Sequence, residues 1–293
     1  MLRATSVGEL VRSLGESGAR GSVGRLFRSS AYLESKEGLV LLLRGELRSP
    51  MTVNLPPGPE FTRSLSAQQQ FRLGRDRLVI GELEILLGSA KTFTSSLMKG
   101  QPAEPISGTE LVKGAVALKL LYSASESALG LVRGEGFRTF ADSVLRPLAR
   151  GEENQLYRLD SYAGLIGGGT GFTPAGDDLV GGFTAAFNHY ASVTGREPIS
   201  LPLSELRKRT VRESATLVDY AQRGYVDEGM ERLILSGLGG RPAQFRASLA
   251  ELASRGHTSG LDMSLGVLLL VASVNDLIGR EKALESSLRA IGN

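Results

Sequence analysis

A chain of 293 residues with 41% apolar and 22% charged residues is a folded protein, with surface enough to bury in one large domain or two ordinary ones. It contains no cysteine, which excludes disulfides, thiolate nucleophiles and Cys-ligated metals and points to a cytoplasmic setting. The net charge is +3, from 34 basic and 31 acidic residues, and the arginines are scattered, not drawn into the dense stripe that a nucleic-acid groove needs.

In chain order, Ser6-Val-Gly-Glu9 reads as a capping box opening a short helix with Leu10, Val11 and Leu14 on one face. No uninterrupted apolar stretch of the signal-peptide kind occurs there. Residues 23–33, 38–47 and 51–55 read as strands with a turn over 34–38, and 78–80 and 83–86 as two more, broken at Gly81. This predicts a mostly antiparallel β unit, a small barrel or sandwich. Gln101-Pro-Ala-Glu-Pro105 then breaks the chain, and the expected boundary falls there, between a β-rich domain over 1–105 and a helical domain over 106–293. Helical spacing follows over 110–132, 137–149, 152–163, 178–193, 204–223, 226–235, 242–254 and 262–277, with a tail helix beyond. The expected fold class is therefore α+β by segregation. The apolar runs 184–190 and 267–274 are too short to cross a bilayer, so neither a membrane nor a nucleic acid is an expected partner.

One stretch of the helical part stands out: GLIGGGTGFTPAGDDLVGG, residues 164–182, in which eight of nineteen residues are glycine. It lies between two helices, with no preceding strand and no following Lys-Ser or Lys-Thr, so neither a dinucleotide fingerprint nor a P-loop fits. Residues 256–266, GHTSGLDMSLG, repeat it. With one gap at Pro174, Gly171 meets Gly256, Thr173 meets Thr258, Ala175 meets Ser259 and Gly176 meets Gly260. Asp178 then meets Asp262, Leu179 meets Met263, and Gly182 meets Gly266.

Each copy runs into an apolar helix. Thr173 with Pro174 behind it reads as an N-cap, and a helix N-terminus offers unpaired N–H donors and a partial positive charge to an anion. If the two termini converge, a phosphate or a carboxylate can sit at each. The expected substrate-binding residues are Gly167, Gly168, Gly169, Gly171, Thr173, Gly176, Asp177, Gly256, Thr258, Ser259 and Gly260, and the expected catalytic residues Asp178, Asp262 and His257. Aspartates in a first turn also serve the helix dipole alone, and glycine-rich loops also simply turn corners. Neighbours on a helix diverge by about 100°, so one of Asp177 and Asp178 faces a given ligand. Asp178 is preferred, because Asp262 echoes it. No cofactor is called for, although Asp177, Asp178, Asp262 and His257 leave Mg²⁺ and a metal-assisted hydrolase open. His189 reads as a packed or surface residue.

The two glycine motifs resemble the paired signatures of the AllH-like family, and Thr210-Val-Arg-Glu-Ser214, with Leu217, Ala221 and Gly224, is similar to that family's intervening helix. The resemblance covers about 160–270 well and 24–43 loosely, and Ala175 stands where the family usually has serine. It implies a subunit working beside other chains in oxamate carbamoyltransferase of purine and allantoin breakdown, where oxalurate and phosphate exchange with oxamate and carbamoyl phosphate. The Ser-Thr-Arg-Thr type of phosphate loop of ordinary carbamoyltransferases is absent. The function expected is a carbamoyltransferase subunit binding a small anionic metabolite, with a non-catalytic anion-binding or regulatory module as the alternative.

Overall fold

The computed structural model describes residues 1–58, 60–95, 97, 104–123, 128–254, 258–279 and 282–292. The chain forms two compact units, Met1–Ser95 and Ser96–Asn293, where the sequence reading divides it at 105.

The first unit is one mixed sheet of ten strands. In chain order these are β1 (Leu2–Arg3), β2 (Ser6–Gly8), β3 (Arg20–Leu26), β4 (Ser30–Ser35), β5 (Leu39–Arg44) and β6 (Thr52–Leu55). β7 (Gln70–Leu73), β8 (Arg77–Ile80), β9 (Leu83–Leu86) and β10 (Lys91–Phe93) complete it. The spatial order is β1-β9-β8-β7-β3-β4-β5-β6-β2-β10. Its two ends are built from consecutive chain: β1 pairs with β9, and a few residues later β2 pairs with β10, both parallel. The sheet therefore curls, and Val7, Val23, Leu33, Leu42, Val53, Leu78, Ile80 and Ile85 fill it. Helix α1 (Glu9–Glu16) starts after Gly8 without a side-chain cap. The capping box expected at Ser6 is thus absent: Ser6 lies in β2, where its hydroxyl accepts a hydrogen bond from Asn54 Nδ2 at 2.7 Å. The single strand expected over 23–33 is a hairpin, closed where Phe27 N–H donates to the Ser30 carbonyl.

The second unit is helical: α2 (Gly108–Ser123), α3 (Ala128–Arg133), α4 (Glu135–Phe140), α5 (Arg146–Ala149), α6 (Ala175–Thr194) and α7 (Leu203–Leu206). There follow α8 (Arg212–Gln222), α9 (Glu228–Leu238), α10 (Pro242–Ala253), α11 (Ser259–Leu277) and α12 (Ala283–Gly292). A π-helical turn, Ala141–Leu145, links α4 to α5. Two expected helices differ. Residues 152–163 make turns and one 3₁₀ helix, Leu159–Tyr162, and 204–223 is broken between α7 and α8. The fold class is α+β, sheet first and helices after.

At the centre of this unit lie α6 and α11, both nearly all buried. α11 is long and apolar enough by composition to cross a membrane, but 83% of its apolar window is buried inside the unit, as befits a core helix. Phe183 of α6 meets Phe140 edge-on at 5.2 Å, and the buried Tyr162 closes that cluster by donating its hydroxyl to the Leu156 carbonyl at 2.7 Å.

Asn188, 1% exposed, ties α6 to its surroundings. Its Nδ2 donates to the carbonyls of Ile199 (2.8 Å) and Gln222 (2.6 Å), and its Oδ1 accepts the N–H of Ile199 at 2.7 Å. Asn188→Ala strands three buried backbone groups, so it should lower the stability of the chain by roughly 3 kcal/mol in denaturant titration. A loss below about 0.5 kcal/mol would show that water replaces the amide there.

Candidate functional site

The two glycine-rich copies meet. α6 and α11 cross with backbone touching backbone at two reciprocal points. A Cβ added at Gly182 would lie 2.2 Å from the Met263 carbonyl oxygen, and one added at Gly266 would lie 2.1 Å from that of Leu179. In the sequence repeat Gly182 matches Gly266 and Leu179 matches Met263, so each copy's glycine receives the other copy's equivalent carbonyl. The repeat is therefore also a local twofold arrangement in space, and it brings the first turns of the two helices together.

Where they converge, the Thr173 hydroxyl donates to Asp178 Oδ2 at 2.8 Å and lies 2.9 Å from the Ser259 hydroxyl. Asp178 is 8% exposed and Asp262 fully buried. Burial pushes the Asp178 carboxyl up to about 7, the neighbouring Asp262 and Asp177 push the same way, and hydrogen bonds from Thr173 and Ser259 oppose it. The centre of the site is thus a carboxyl group that is half protonated near neutral pH, under two hydroxyls.

Thr173 is not the N-cap expected of it. Pro174 occupies that position and α6 starts at Ala175, so the Thr173 side chain is released to join Asp178 and Ser259. The first turn of α6 also spends its donors internally: Gly176 N–H goes to the Gly168 carbonyl at 2.9 Å, and those of Asp177 and Asp178 go to Pro174. Gly176 is glycine because the loop lies on it, with a Cβ there only 1.9 Å from the Leu165 carbonyl oxygen. α11 begins after Thr258 with no side-chain cap, and the Asp262 N–H goes to the Thr258 carbonyl at 2.9 Å, as that of Asp178 goes to Pro174 in α6.

Asp177 points away from this centre. It accepts the N–H of Gly167 at 2.8 Å and the hydroxyls of Ser214 (2.6 Å) and Thr210. Gly167, Gly169 and Gly171 turn the loop with φ of 79°, 97° and 129°. Gly256 and His257 lie outside the described residues. His189 is 3% exposed, its Nδ1 hydrogen-bonded to the Leu97 carbonyl, and burial lowers its pKa. Among the described residues no three His, Asp or Glu side chains are grouped to hold a metal ion. The sequence reading did not single out Thr210 and Ser214 individually, although both fall in the segment similar to the family's intervening helix.

Fold and site together define an α+β protein whose helical unit encloses an internally repeated loop-and-helix pair around a buried carboxyl. A protein-family model described as oxamate carbamoyltransferase subunit AllH matches residues 165–271, from the glycine loop into α11. The β unit lies outside that match. No curated protein and no solved structure matches the chain.

Proposed function

We propose that the protein is a subunit of a carbamoyl-transferring enzyme of the oxamate carbamoyltransferase kind, and that its small-molecule site lies where the first turns of α6 and α11 converge. What supports this beyond the family match is the meeting of Thr173 and Ser259 over the Asp178 carboxyl.

In the reaction that the family resemblance implies, a phosphate oxygen bonds to the carbamoyl carbon of oxalurate as the bond from that carbon to the oxamate nitrogen breaks. The departing nitrogen needs a proton. Asp178 in its protonated form supplies it, and in the reverse direction its carboxylate takes the proton back from oxamate. A pKa of about 7 populates both forms at neutral pH, as a general acid and base requires. The hydroxyls of Thr173 and Ser259 orient the amide. The first amides of α11, at the positive end of its dipole, hold the carboxylate or phosphate. α6 contributes its carboxyl more than its amides, since those are already bonded. Partner subunits supply the rest of the site.

Thermal melting of the full chain, alone and with its partner subunits, tests this against oxamate, oxalurate, phosphate and carbamoyl phosphate. A ligand at ~100 times its dissociation constant stabilises by about 2.7 kcal/mol, a readily measured shift of the midpoint. Oxamate or oxalurate should give this shift, and Asp178→Asn should abolish it. If no compound shifts the midpoint under either condition, the convergence of α6 and α11 is not the site. Binding without turnover in the reconstituted complex would make the protein a metabolite-binding module instead.

A further inference from the structure

Asp177 and Asp178 stand side by side, and the helix turns them about 100° apart. Asp178 faces Thr173. Asp177 faces the opposite way, is 1% exposed, and already has three donors on its two oxygens, from Gly167, Thr210 and Ser214. These donors belong to two segments far apart in sequence, the glycine loop and the start of α8. The same two segments also touch directly. Gly167 has a φ of 79°, which a side chain would strain, and a Cβ there would lie 2.3 Å from the Arg209 carbonyl oxygen.

We infer that Asp177 is a positioning residue: its carboxylate fastens the glycine loop to the segment 210–214, and this fastening holds Thr173 and Asp178 in place for the ligand. The inference rests on the reading of the Thr173–Asp178–Ser259 cluster as the ligand site. Its physical course is short. The loop pinned at Gly167 continues to Gly168, whose carbonyl receives Gly176 N–H of the first helical turn. Five residues further on it delivers Thr173, whose hydroxyl bridges Asp178 and Ser259. Once unfastened, the loop can lift from that turn and admit water to Asp178.

Two measurements on the full-length chain, neither needing a ligand, test the clamp. One is carbon-13 NMR titration of the aspartate carboxyls, with the Asp178 signal assigned by its loss in Asp178→Asn. The other is hydrogen exchange of the Gly167 amide. The decisive variants are Thr210→Val and Ser214→Ala, because they leave both neighbouring carboxyl groups, those of Asp177 and Asp262, in place. Each should speed Gly167 exchange by roughly tenfold. Each should also lower the titration midpoint of Asp178 toward the ordinary carboxyl range as water enters. Asp177→Asn should do both more strongly; if it does not fold, the two hydroxyl variants still decide. If both of those keep wild-type exchange and midpoint, the clamp is refuted, even if Asp177→Asn shifts Asp178 by charge alone. Loss of the ligand reading would appear separately, as unchanged oxamate binding in Asp178→Asn.

Discussion

Gly182→Ala should destabilise the helical unit by about 3 kcal/mol, roughly 6–12 °C in melting midpoint, while Gly181→Ala beside it should leave the midpoint unchanged or raise it. The contrast follows from what each new methyl group meets. At position 181 the nearest atom is the Ala221 Cβ at 3.7 Å, an ordinary contact, and alanine gains up to about 1 kcal/mol over glycine in a helix. At position 182 the methyl falls 2.2 Å from the Met263 carbonyl oxygen and 2.9 Å from its carbon, both backbone. No rotamer change relieves that clash, so the helices must part. Gly266→Ala meets the Leu179 carbonyl oxygen at 2.1 Å and the Phe183 nitrogen at 2.7 Å, and should cost as much.

Because the two glycines are equivalent halves of one crossing, the second methyl enters a gap that the first has opened. Gly182→Ala/Gly266→Ala should therefore cost clearly less than the sum of the singles, a coupling that a double-mutant cycle reads directly. A Gly182→Ala protein melting with wild type would show that the helices do not touch there. The function should suffer along with the stability. Parting α6 from α11 draws Ser259 off Thr173, so ligand binding should weaken even at temperatures where the variant is folded.

This crossing is also the part of the site most legible in the sequence. The repeat of Gly-x-Asp ending at 178 and 262, each followed by glycine four residues on, predicts two alike helices, and close packing leaves glycine as its trace. The direction of Asp177 was not legible. Its hydroxyl donors lie 33 and 37 residues away, and nothing in local spacing couples them to it. The same contact explains the helix expected over 204–223. Its middle has ordinary helical composition, but Thr210 is drawn to Asp177 and the Arg209 carbonyl to Gly167, so tertiary contacts end one helix and start another. Thr173 was misread as a cap for a related reason, since its partner Ser259 stands 86 residues on. In the β unit, strands β1, β2 and β10 have two or three residues each, too few for alternation to register, and they exist because distant chain pairs with them.

The pH dependence of stability should change sign with Asp178. Its carboxyl titrates near 7 in the folded chain against 3.8 when exposed, so between those values the folded state holds a proton that the unfolded state has lost. Stability from this group is therefore complete below about pH 4 and falls as pH rises toward and through 7. The interval is about 3 pH units, which at 1.36 kcal/mol each is on the order of 4 kcal/mol, fully lost at pH 8. His189 works in the opposite direction: burial lowers its pKa, so its contribution is lost as pH falls through the range of an exposed histidine. The difference between wild type and Asp178→Asn cancels that term. An asparagine resembles the protonated acid, so the two proteins should have nearly equal stability below about pH 4, and the variant should be the more stable by roughly 1.6 kcal/mol at pH 5 and by about 4 kcal/mol at pH 8. Such a gain, at the residue whose loss should abolish ligand binding, is what the proposed role entails: a carboxyl held buried for proton transfer destabilises the fold when it ionises. Denaturant titrations at pH 5, 6, 7 and 8 measure the difference. Parallel curves for the two proteins would place the Asp178 carboxyl in its ordinary range and remove it as the acid and base.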